Sequence, residues 1–371
     1  MEYMVKTKNP LDKLRASEKV KNKMNLLLIT QKVDKNDSVL GFFHGWLVEF
    51  AKNTQKIVVI CLEKGEYDLP QNVSVFSLGK EVNKSKIEYI LNFYKYIFKL
   101  RNEYDSVFVH MNKEYVILGS LFWKIWNKKI SLWYNHPFGD FIARISVFLS
   151  NNVFYTSPQA FTSKYKKSKQ MSAGIDTNIF KKIENVEKKK NSLLFLGRIS
   201  PIKNLDLLIN SITSINEHDG NLNLNIFGGP INPSDYSYIN NLKNITEKQN
   251  RFIKFNEPIA NYKTPEIFNE HEVFVNLTPS GSLDKTTLEA MSCETLVLVS
   301  NKYFENVLDD NLKDIILFKE MDLNDLINKI KRIVSLDKSE KEKISKEMRK
   351  IIIQKHSLSS LIKDVIEILS K

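Results

Sequence analysis

The sequence predicts an α/β protein whose two doubly wound domains face each other across a cleft. Its 371 residues are enough for two hydrophobic cores. Short apolar runs of strand length alternate with longer segments of helical periodicity, which is typical of strand–helix–strand units. The runs are continuous rather than alternating, as expected for parallel strands covered by helices on both faces. Because such sheets bind ligands at the carboxyl ends of their strands, we expect a shared site in the cleft.

Twelve apolar runs predict strands, six on each side of a charged segment that lacks apolar periodicity. The runs are residues 24–30, 57–62, 73–78, 106–111, 129–134, 152–157, 192–197, 222–228, 251–255, 272–277, 295–300 and 314–318. The charged segment, 181–191, predicts a linker between an N-terminal domain at 24–180 and a C-terminal domain at 192–354. Residues 1–23 are polar and are expected to form a flexible lead-in. Residues 355–371 have helical spacing and predict a closing helix, whose packing back on the N-terminal domain stays open.

The composition excludes several classes of protein. Hydrophobic residues make up 42% and charged residues 26%, which is a globular composition and not that of a disordered chain. The two cysteines, Cys61 and Cys293, are too far apart to suggest a disulfide framework or a metal site, which fits a reducing cytoplasm. The N-terminus has no apolar core of a secretory signal, and no run reaches the ~18 apolar residues of a spanning helix. The sequence contains no Asp-x-Asp pair, which is the motif that would suggest a bound metal.

The formal net charge of +12 lies entirely in the first half of the chain. Residues 1–185 contain 29 Lys and Arg against 17 Asp and Glu, whereas the remainder contains 26 of each. This asymmetry predicts an anionic partner, either nucleic acid or a membrane surface, that meets only the N-terminal half. Basic and aromatic residues interleave over 84–101 and 121–133, and 164–169 is a basic run. These segments favour the anionic membrane surface, although a core with a solvated basic face would give the same pattern in any one helix. No nucleic-acid-binding signature occurs.

The segment SLLFLGRISPIKNLDLLINSI, residues 192–212, has the residue types that a diphosphate needs. A predicted strand ends at Gly197, where glycine allows the backbone to turn sharply. Arg198 and Lys203 follow at the carboxyl end of that strand, beside the N-terminus of a helix that begins near Asn204. Two cations and free helix amides form an anion site. Two solvated loop charges are the alternative.

A second segment, residues 272–300, leads from a predicted strand through the polar turn TPSGS into another helix. The Gly281-Ser282 turn exposes backbone N–H groups at the helix N-terminus, which suits an anion or sugar hydroxyls. Asp284 lies in the first turn of the helix. Glu289, farther along, could accept hydrogen bonds from two vicinal ribose hydroxyls. An exposed helix residue is the alternative for Glu289.

Together these segments resemble family 4 glycosyltransferases, which are retaining enzymes with the GT-B fold of two Rossmann-like domains. The resemblance covers nearly the whole chain from about residue 24 onward, and its two C-terminal motifs are specific in combination. The matching residues are Gly197-Arg198 with Lys203-Asn204, Glu289-Ala290-Met291, Gly174-Ile175-Asp176 with Phe180 before the linker, His136 in LWYNHP, and Gly41 in LGFFHGW.

The resemblance implies a role for each site residue. Arg198 and Lys203 would neutralise the donor diphosphate, which is the leaving group, and Glu289 would hold the ribose. His136 would contact the donor sugar, and the amide of Gly41 would approach the reacting centre. The implied catalytic residues are His136, Arg198 and Lys203, and the implied donor-binding residues are Gly41, Gly197, Arg198, Lys203, Asn204, Ser282, Leu283, Asp284, Lys285 and Glu289.

The implied activity is transfer of a sugar from a UDP- or GDP-linked donor to an acceptor. The two cations would take the place of a divalent metal, and no cofactor besides the donor substrate is implied. With the basic half, the resemblance predicts a lipid-linked or oligosaccharide acceptor used in cell-surface polysaccharide or glycolipid synthesis, retention of anomeric configuration, and a cytoplasmic protein peripheral to the inner face of the membrane.

Several positions depart from the family pattern: Glu294 and Leu296 stand where the family usually has Gly and Pro, Ala173 stands where it often has His, and the departure at Gly281 bears most on the donor sugar. Gly281 stands where the family has a glutamate that contacts the donor sugar, and the backbone amides of Leu283 and Asp284 or the side chains of Asp284 and Lys285 could substitute. Two alternatives therefore stay open: a sugar-nucleotide-binding subunit without activity of its own, and a GT-B sugar-nucleotide epimerase.

The histidines outside these motifs carry weaker predictions. His110 ends a predicted strand and could line the acceptor cleft, but a hydrogen-bonded structural histidine is the favoured interpretation. His44, on an early helix, is open in the same way. His218, His271 and His356 are expected on the surface.

Overall fold

The structure, a computed structural model, describes residues 24–218, 220–247, 251–281 and 283–371. Within these residues the chain forms two parallel β-sheets, each covered by helices on both faces, which confirms the predicted α/β class and the two doubly wound units. The predicted lead-in at 1–23 lies outside the described residues.

The first sheet has seven strands in the order β3-β2-β1-β4-β5-β6-β7. Its strands are β1 Asn25–Val33, β2 Lys56–Lys64, β3 Val73–Ser77, β4 Ser106–His110, β5 Lys129–Trp133, β6 Asn152–Tyr155 and β7 Ser168–Gln170. The second sheet has five strands in the order β10-β9-β8-β11-β12. Its strands are β8 Lys189–Leu196, β9 Asn223–Phe227, β10 Ile253–Asn256, β11 His271–Asn276 and β12 Leu296–Val299.

The helices alternate with the strands and then close the chain. They are α1 Phe42–Asn53, α2 Lys86–Lys99, α3 Glu114–Ile125, α4 Phe141–Leu149, α5 Leu205–Glu217, α6 Pro233–Thr246, α7 Thr264–Glu270, α8 Lys285–Ser292, α9 Asp310–Ile316, α10 Leu323–Ser335, α11 Lys338–Lys355 and α12 Leu358–Ser370. None of the helices in the described part of the chain combines the length and the hydrophobicity that a membrane span requires.

Continuous apolar strands form because both faces of each sheet are covered. Leu27 and Leu28 are neighbours on β1 and point to opposite faces, yet both are fully buried. Leu27 packs in the core beneath α2, α3 and α4, whereas Leu28 packs in the core beneath α1 and α12. The first domain therefore has three layers, with α2, α3 and α4 together on one face.

Two parts of the strand prediction need correction. The run at 314–318 is wrong as a strand, because Leu312 and Ile316 bury one face of helix α9 and only an isolated bridge pairs Leu317 with Val299. Strand β7 was not predicted, since its three residues are polar and lie at the sheet edge. Strand β8 begins at Lys189, inside the segment predicted as linker.

The chain crosses between the two sheets twice, and the crossings pair with each other. Ile175 N–H donates to His356 O at 2.7 Å, and Leu358 N–H donates to Ile175 O at 2.8 Å. Beyond this point α12 packs on α1, and its buried face, including Leu361 and Val365, belongs to the core of the first domain. The last helix of the chain is thus a structural part of the N-terminal domain, and it fixes the position of α1 at the cleft.

Candidate functional site

Two glycines follow neighbouring strands of the second sheet, at the ends of the strands that face the cleft. Gly197 follows β8 with φ +152° and Gly228 follows β9 with φ +147°. A Cβ on Gly228 would lie 1.9 Å from the carbonyl oxygen of Gly197, so only glycine permits the two turns to approach this closely. The half-buried Arg198 comes next, and its Nε donates to Ser200 Oγ at 3.2 Å.

Lys203 and Asp284, predicted separately as parts of one site, form an ion pair. Lys203 Nζ lies 2.5 Å from Asp284 Oδ2 and donates to Thr278 Oγ1 at 2.8 Å. Thr278 Oγ1 donates to the same carboxylate oxygen at 3.0 Å. Burial opposes ionisation of Asp284, but the charge and hydrogen bond of Lys203 lower the pKa of this carboxyl well below its usual range. Asn204 Nδ2 joins the group by donating to Leu277 O at 3.3 Å.

The same carboxylate caps helix α8. Asp284 Oδ1 accepts from Thr286 N–H at 3.1 Å, which satisfies one free amide of the first turn. The preceding Leu283 packs against the core of the second domain. Gly281 has φ +114°, and a Cβ there would meet no atom within 4 Å, so the position of the absent glutamate is open space. Ser282 lies outside the described residues.

Lys285 reaches across the cleft to the other domain. Its Nζ lies 4.0 Å from the ring centroid of Phe42 and 4.9 Å from that of Trp46, both on α1. Glu289 follows one helical turn later on the same face of α8, and Asn261 Nδ2 donates to its Oε1 at 3.1 Å. Burial lowers the pKa of Lys285 and raises the pKa of Glu289, and the attraction between the two charges partly offsets both shifts. Glu289 is buried, so the alternative of an exposed helix residue is wrong.

A cavity of about 350 Å³ lies between the two domains at this contact. Its lining includes Gly41, Phe42 and Trp46 from the first domain, Gly174 and Ile175 from the crossing segment, and Asn261, Tyr262, Lys285 and Glu289 from the second domain. Of the predicted site residues, Gly41, Lys285 and Glu289 therefore share one cavity. Gly197, Arg198, Lys203, Asn204, Asp284 and His136 are not among the residues that line it.

His136 lies in the loop after β5, at the carboxyl end of the first sheet. Its ring is exposed, and Nδ1 accepts from Phe138 N–H at 3.1 Å. The structure therefore places it on the cleft side of the sheet, without a described hydrogen bond to the Lys203 group.

The other histidines are half-buried, buried or exposed. His44 is half-buried, lines the cavity, and its Nε2 accepts from Asp68 N–H at 3.2 Å. His110 is buried and stacks on Phe43 with ring centroids 4.3 Å apart. Burial, with a smaller contribution from the charge of Lys285, lowers the pKa of His110 to about 3, so this imidazole is neutral. His218 is exposed as expected. His271 and His356 are buried and the surface prediction was wrong for both, because one begins the interior strand β11 and the other follows α11 at the paired crossing.

Sequence reasoning missed several residues that complete the site. Thr278 follows the predicted strand directly, and its position was a usable signal. Phe42 and Trp46 stand beside the glycines of LGFFHGW, but their contact with Lys285 depends on how the domains face each other. Asn261 lies in a loop with no motif, and no sequence signal identifies it.

Two doubly wound parallel sheets that close a cleft with the carboxyl ends of their strands define the GT-B class of fold. Residues 190–335, which run from the start of β8 to the end of α10, match the family model described as "Glycosyl transferases group 1". The family match and the shared fold together support a protein of the glycosyltransferase superfamily.

Solved structures share the fold over almost the full chain. HepE from Anabaena, crystallised in complex with UDP and glucose, is similar with a TM-score of 0.73 and 16% identity over 94% of this chain and 100% of its own. Sucrose-phosphate synthase from Thermosynechococcus elongatus has a TM-score of 0.71 and 14% identity over 93% and 98%. A glycosyltransferase from Rickettsia africae has a TM-score of 0.68 and 14% identity over 94% and 98%. A search of curated protein sequences finds no significant match.

Proposed function

We propose that the protein is a glycosyltransferase that moves a sugar from a nucleotide diphosphate donor to a saccharide acceptor, with retention of configuration and without a metal ion. UDP and GDP are both open as the nucleotide, and UDP is the first to test because HepE binds UDP together with glucose. We propose a lipid-linked acceptor used in cell-surface polysaccharide or glycolipid synthesis.

The observation that carries this proposal is the polar group around Lys203. Lys203, Thr278 and Asp284 meet where β8, β11 and the N-terminus of α8 converge, which is where a doubly wound sheet binds ligands. A diphosphate placed here would meet Arg198, Lys203 and the first amides of α8. Negative charge develops on the diphosphate as the bond to the sugar breaks, and fixed cations and amides stabilise that charge in a site sheltered from water.

Lys203 would have to redistribute its hydrogen bonds when the donor binds. Its ammonium group has three donors, and Asp284 and Thr278 take two of them. The third donor is available to a phosphate oxygen while Asp284 holds the side chain in position. Arg198 then supplies the second cation. Among the described residues, no carboxylate forms a short ion pair with it.

Glu289 suits the ribose of the donor. A buried carboxylate can accept from two vicinal hydroxyls, and the hydrogen bond from Asn261 holds it in place. Tyr262 and Asn261 line the same cavity, so the nucleoside would lie beside Glu289. Gly41 lies across the cavity at the start of α1, on the side proposed for the reacting sugar and the acceptor, and His136 is proposed to face the donor sugar from the end of β5.

The glycine at position 281 favours a second candidate function, that of a subunit that binds a sugar nucleotide without turnover. The space beside Gly281 is open, so no side chain of this residue contacts the donor sugar. The epimerase alternative has no such observation in its favour. Sugar transfer measured with the purified chain separates the active enzyme from the inactive subunit.

The test is a thermal-shift panel of UDP-, GDP-, ADP- and CMP-sugars, because a ligand that binds only the folded state raises the melting temperature. Selective stabilisation by one nucleotide that is lost in Arg198→Ala is the expected result. Lys331→Ala, an exposed cation on α10, is the control and should respond like the wild type. No stabilisation by any of the four nucleotides would sink the donor-site assignment.

We also propose that the protein works at the inner, cytoplasmic face of the membrane as a peripheral protein. The excess of positive charge in residues 1–185 supports this location, since anionic lipids attract clustered Lys and Arg.

A further inference from the structure

The outer surface of α2, α3 and α4 exposes an unusual number of large apolar side chains. Phe138 and Phe148 are 77% and 79% exposed, and Leu121 and Ile125 are more than 60% exposed. Every exposed phenylalanine of the described residues lies between positions 98 and 148. The set comprises Ile87, Ile90, Leu91, Phe98, Leu121, Ile125, Phe138, Phe141, Ile142 and Phe148, and we call it the apolar face. Exposed apolar clusters of this kind mark sites that bind another protein, a ligand or a membrane.

The apolar face is continuous because the three helices pack side by side. Phe98 of α2 contacts Phe122 and Trp126 of α3, with ring centroids 4.7 and 5.2 Å apart. Ser146 Oγ of α4 donates to Lys113 O at the start of α3 at 2.8 Å. The inner sides of the same helices form the core beneath one face of the first sheet, so their outer sides look away from α1 and α12.

Cations surround the apolar face and few acids balance them. The exposed basic residues of α2, α3, α4 and the nearby 164–169 run are Lys86, Lys95, Lys99, Lys124, Arg144, Lys164, Lys166 and Lys169, whereas the acidic residues of the three helices are Glu88 and Glu114. Glu88 is already engaged in the capping box of α2 with Ser85. Lys167 Nζ donates to the carbonyl oxygens of Phe148 and Ser150 at 3.1 and 2.7 Å, which adds a further cation at the end of α4. Burial, with a smaller contribution from the charge of Lys124, lowers the pKa of Lys167.

We propose that this face docks on an anionic lipid bilayer, with Phe138, Phe141 and Phe148 inserted below the headgroups and the surrounding lysines at the level of the lipid phosphates. A bilayer is the occupant that offers an apolar interior directly beneath a negative surface. A second copy of the chain fits poorly, because two such faces would bring like charges together without acidic partners.

This inference rests on the proposed function, and it adds the side from which the acceptor enters the cleft. Phe138 follows His136 by two residues, and Phe141 begins α4 just beyond it, so this part of the face borders the carboxyl end of β5. Asp140, between them, binds Lys113 at 2.7 Å near the carboxyl end of β4. Docking here places the mouth of the cleft at the membrane surface, where the saccharide of a lipid-linked acceptor would stand.

The test is flotation of the full chain with vesicles of phosphatidylcholine alone, and of two parts phosphatidylcholine to one part phosphatidylglycerol, at low and high salt. The wild type should bind the anionic vesicles, and part of the binding should survive high salt because apolar insertion is not screened. Phe138→Ser with Phe141→Ser and Phe148→Ser should weaken binding by about tenfold or more and remove the salt-resistant part. Lys124→Glu with Lys166→Glu should remove the preference for anionic lipid.

Matched controls separate insertion from general loss of surface hydrophobicity. Ile231→Ser, Ile245→Ser and Ile353→Ser remove exposed apolar side chains from the second domain and should bind vesicles like the wild type. If the triple phenylalanine variant unfolds, Phe148→Ser alone carries the test, since Phe148 is among the most exposed side chains of the set. Unchanged vesicle binding by the phenylalanine variants, or a dimer that dissociates when Phe148 is replaced, overturns the proposal.

Donor binding is measured on the same samples. Vesicle binding without stabilisation by any sugar nucleotide would leave the membrane face standing and overturn the proposed function. Stabilisation by a sugar nucleotide without vesicle binding would support the proposed function and overturn the membrane-docking proposal.

Discussion

Lys203 Nζ lies 2.5 Å from Asp284 Oδ2, so one of the two cations proposed for the donor diphosphate is already paired with a carboxylate of the same site. Both side chains are less than 20% exposed. At this burial an unpaired charge is costly, and each partner stabilises the other. The pair also ties β8 to the start of α8 and so shapes the place where the phosphates are proposed to bind.

Asp284→Asn should destabilise the protein by about 3 kcal/mol, because it leaves Lys203 charged and without a counterion while the amide oxygen keeps the cap on α8. UDP-glucose should raise the melting temperature more in this variant than in the wild type, since a phosphate then replaces the missing carboxylate. Urea unfolding and thermal shift measure the two effects.

The double variant Lys203→Met with Asp284→Asn is the control for that prediction. With both charges removed, the stability should recover relative to Asp284→Asn, whereas the extra response to UDP-glucose should disappear. A double variant as unstable as the sum of the single variants would show that the two residues do not act as a pair.

Lys285→Met tests whether the cross-cleft lysine serves binding rather than stability. Burial lowers the pKa of Lys285, which means that the folded protein does not favour its charge. Glu289, whose pKa is raised by burial, can take up a proton when this nearby charge is lost. Replacing the ammonium group with an apolar side chain of similar length over Phe42 and Trp46 should therefore leave the free energy of unfolding nearly unchanged or raise it. We expect affinity for UDP-glucose to fall by roughly tenfold, the change that a single charge-assisted contact produces.

Calorimetric titration with UDP-glucose measures that affinity, and Phe42→Leu is the matched variant that removes the ring but keeps the lysine. If Lys285→Met lowers stability by several kcal/mol without affecting nucleotide affinity, the residue is structural.

Glu289 should make donor binding depend on pH near neutrality. Burial raises the pKa of Glu289 to about 7, against the opposing effects of Lys285 and Asn261. In the proposed site the carboxylate form would accept the two ribose hydrogen bonds, so affinity should be greatest above pH 7 and should fall as the pH drops through 7 and the carboxyl takes up a proton. An unperturbed glutamate would keep its affinity down to about pH 4.3.

UDP-glucose is the ligand to use, because each of its two phosphates has a single, strongly acidic proton and does not titrate in this range. Glu289→Gln should bind more weakly at pH 8 and should lose the step near pH 7. A step that persists in Glu289→Gln would assign the pH dependence to another group.

The strands of this fold could be predicted because a strand buried on both faces is a continuous apolar run in the sequence. Leu27 and Leu28 are apolar since each face of β1 meets a helix layer, and such runs are read without knowing the partner strands. The same logic failed at 314–318, where a short apolar run also suits one buried face of a helix. Strand β7 has no apolar run that could predict it, because a polar edge strand needs only backbone hydrogen bonds.

The site was predictable to the extent that it is built within one domain. Lys203 and Asp284 could be placed at strand ends and a helix start, although their pairing could not be anticipated. The contact of Lys285 with Phe42 joins residues that are far apart in the chain, and it depends on the relative position of two domains. That position is set by the paired crossings at Ile175 and His356, for which the sequence has no periodic signal.

Gly228 should tolerate no side chain, whereas Gly45 should accept one. A Cβ on Gly228 would lie 1.9 Å from Gly197 O, and its φ of +147° is a conformation that L-residues rarely adopt. Gly228→Ala should therefore force β8 and β9 apart at their carboxyl ends, cost roughly 2 kcal/mol or more of stability, and displace Arg198 from the proposed donor site. Gly45 lies within α1, and a Cβ there would meet no atom within 4 Å, so Gly45→Ala should stabilise the helix by about 0.5–1 kcal/mol. Urea unfolding of both variants gives opposite signs if the backbone approach at Gly197 is as close as described, and equal small effects would contradict it.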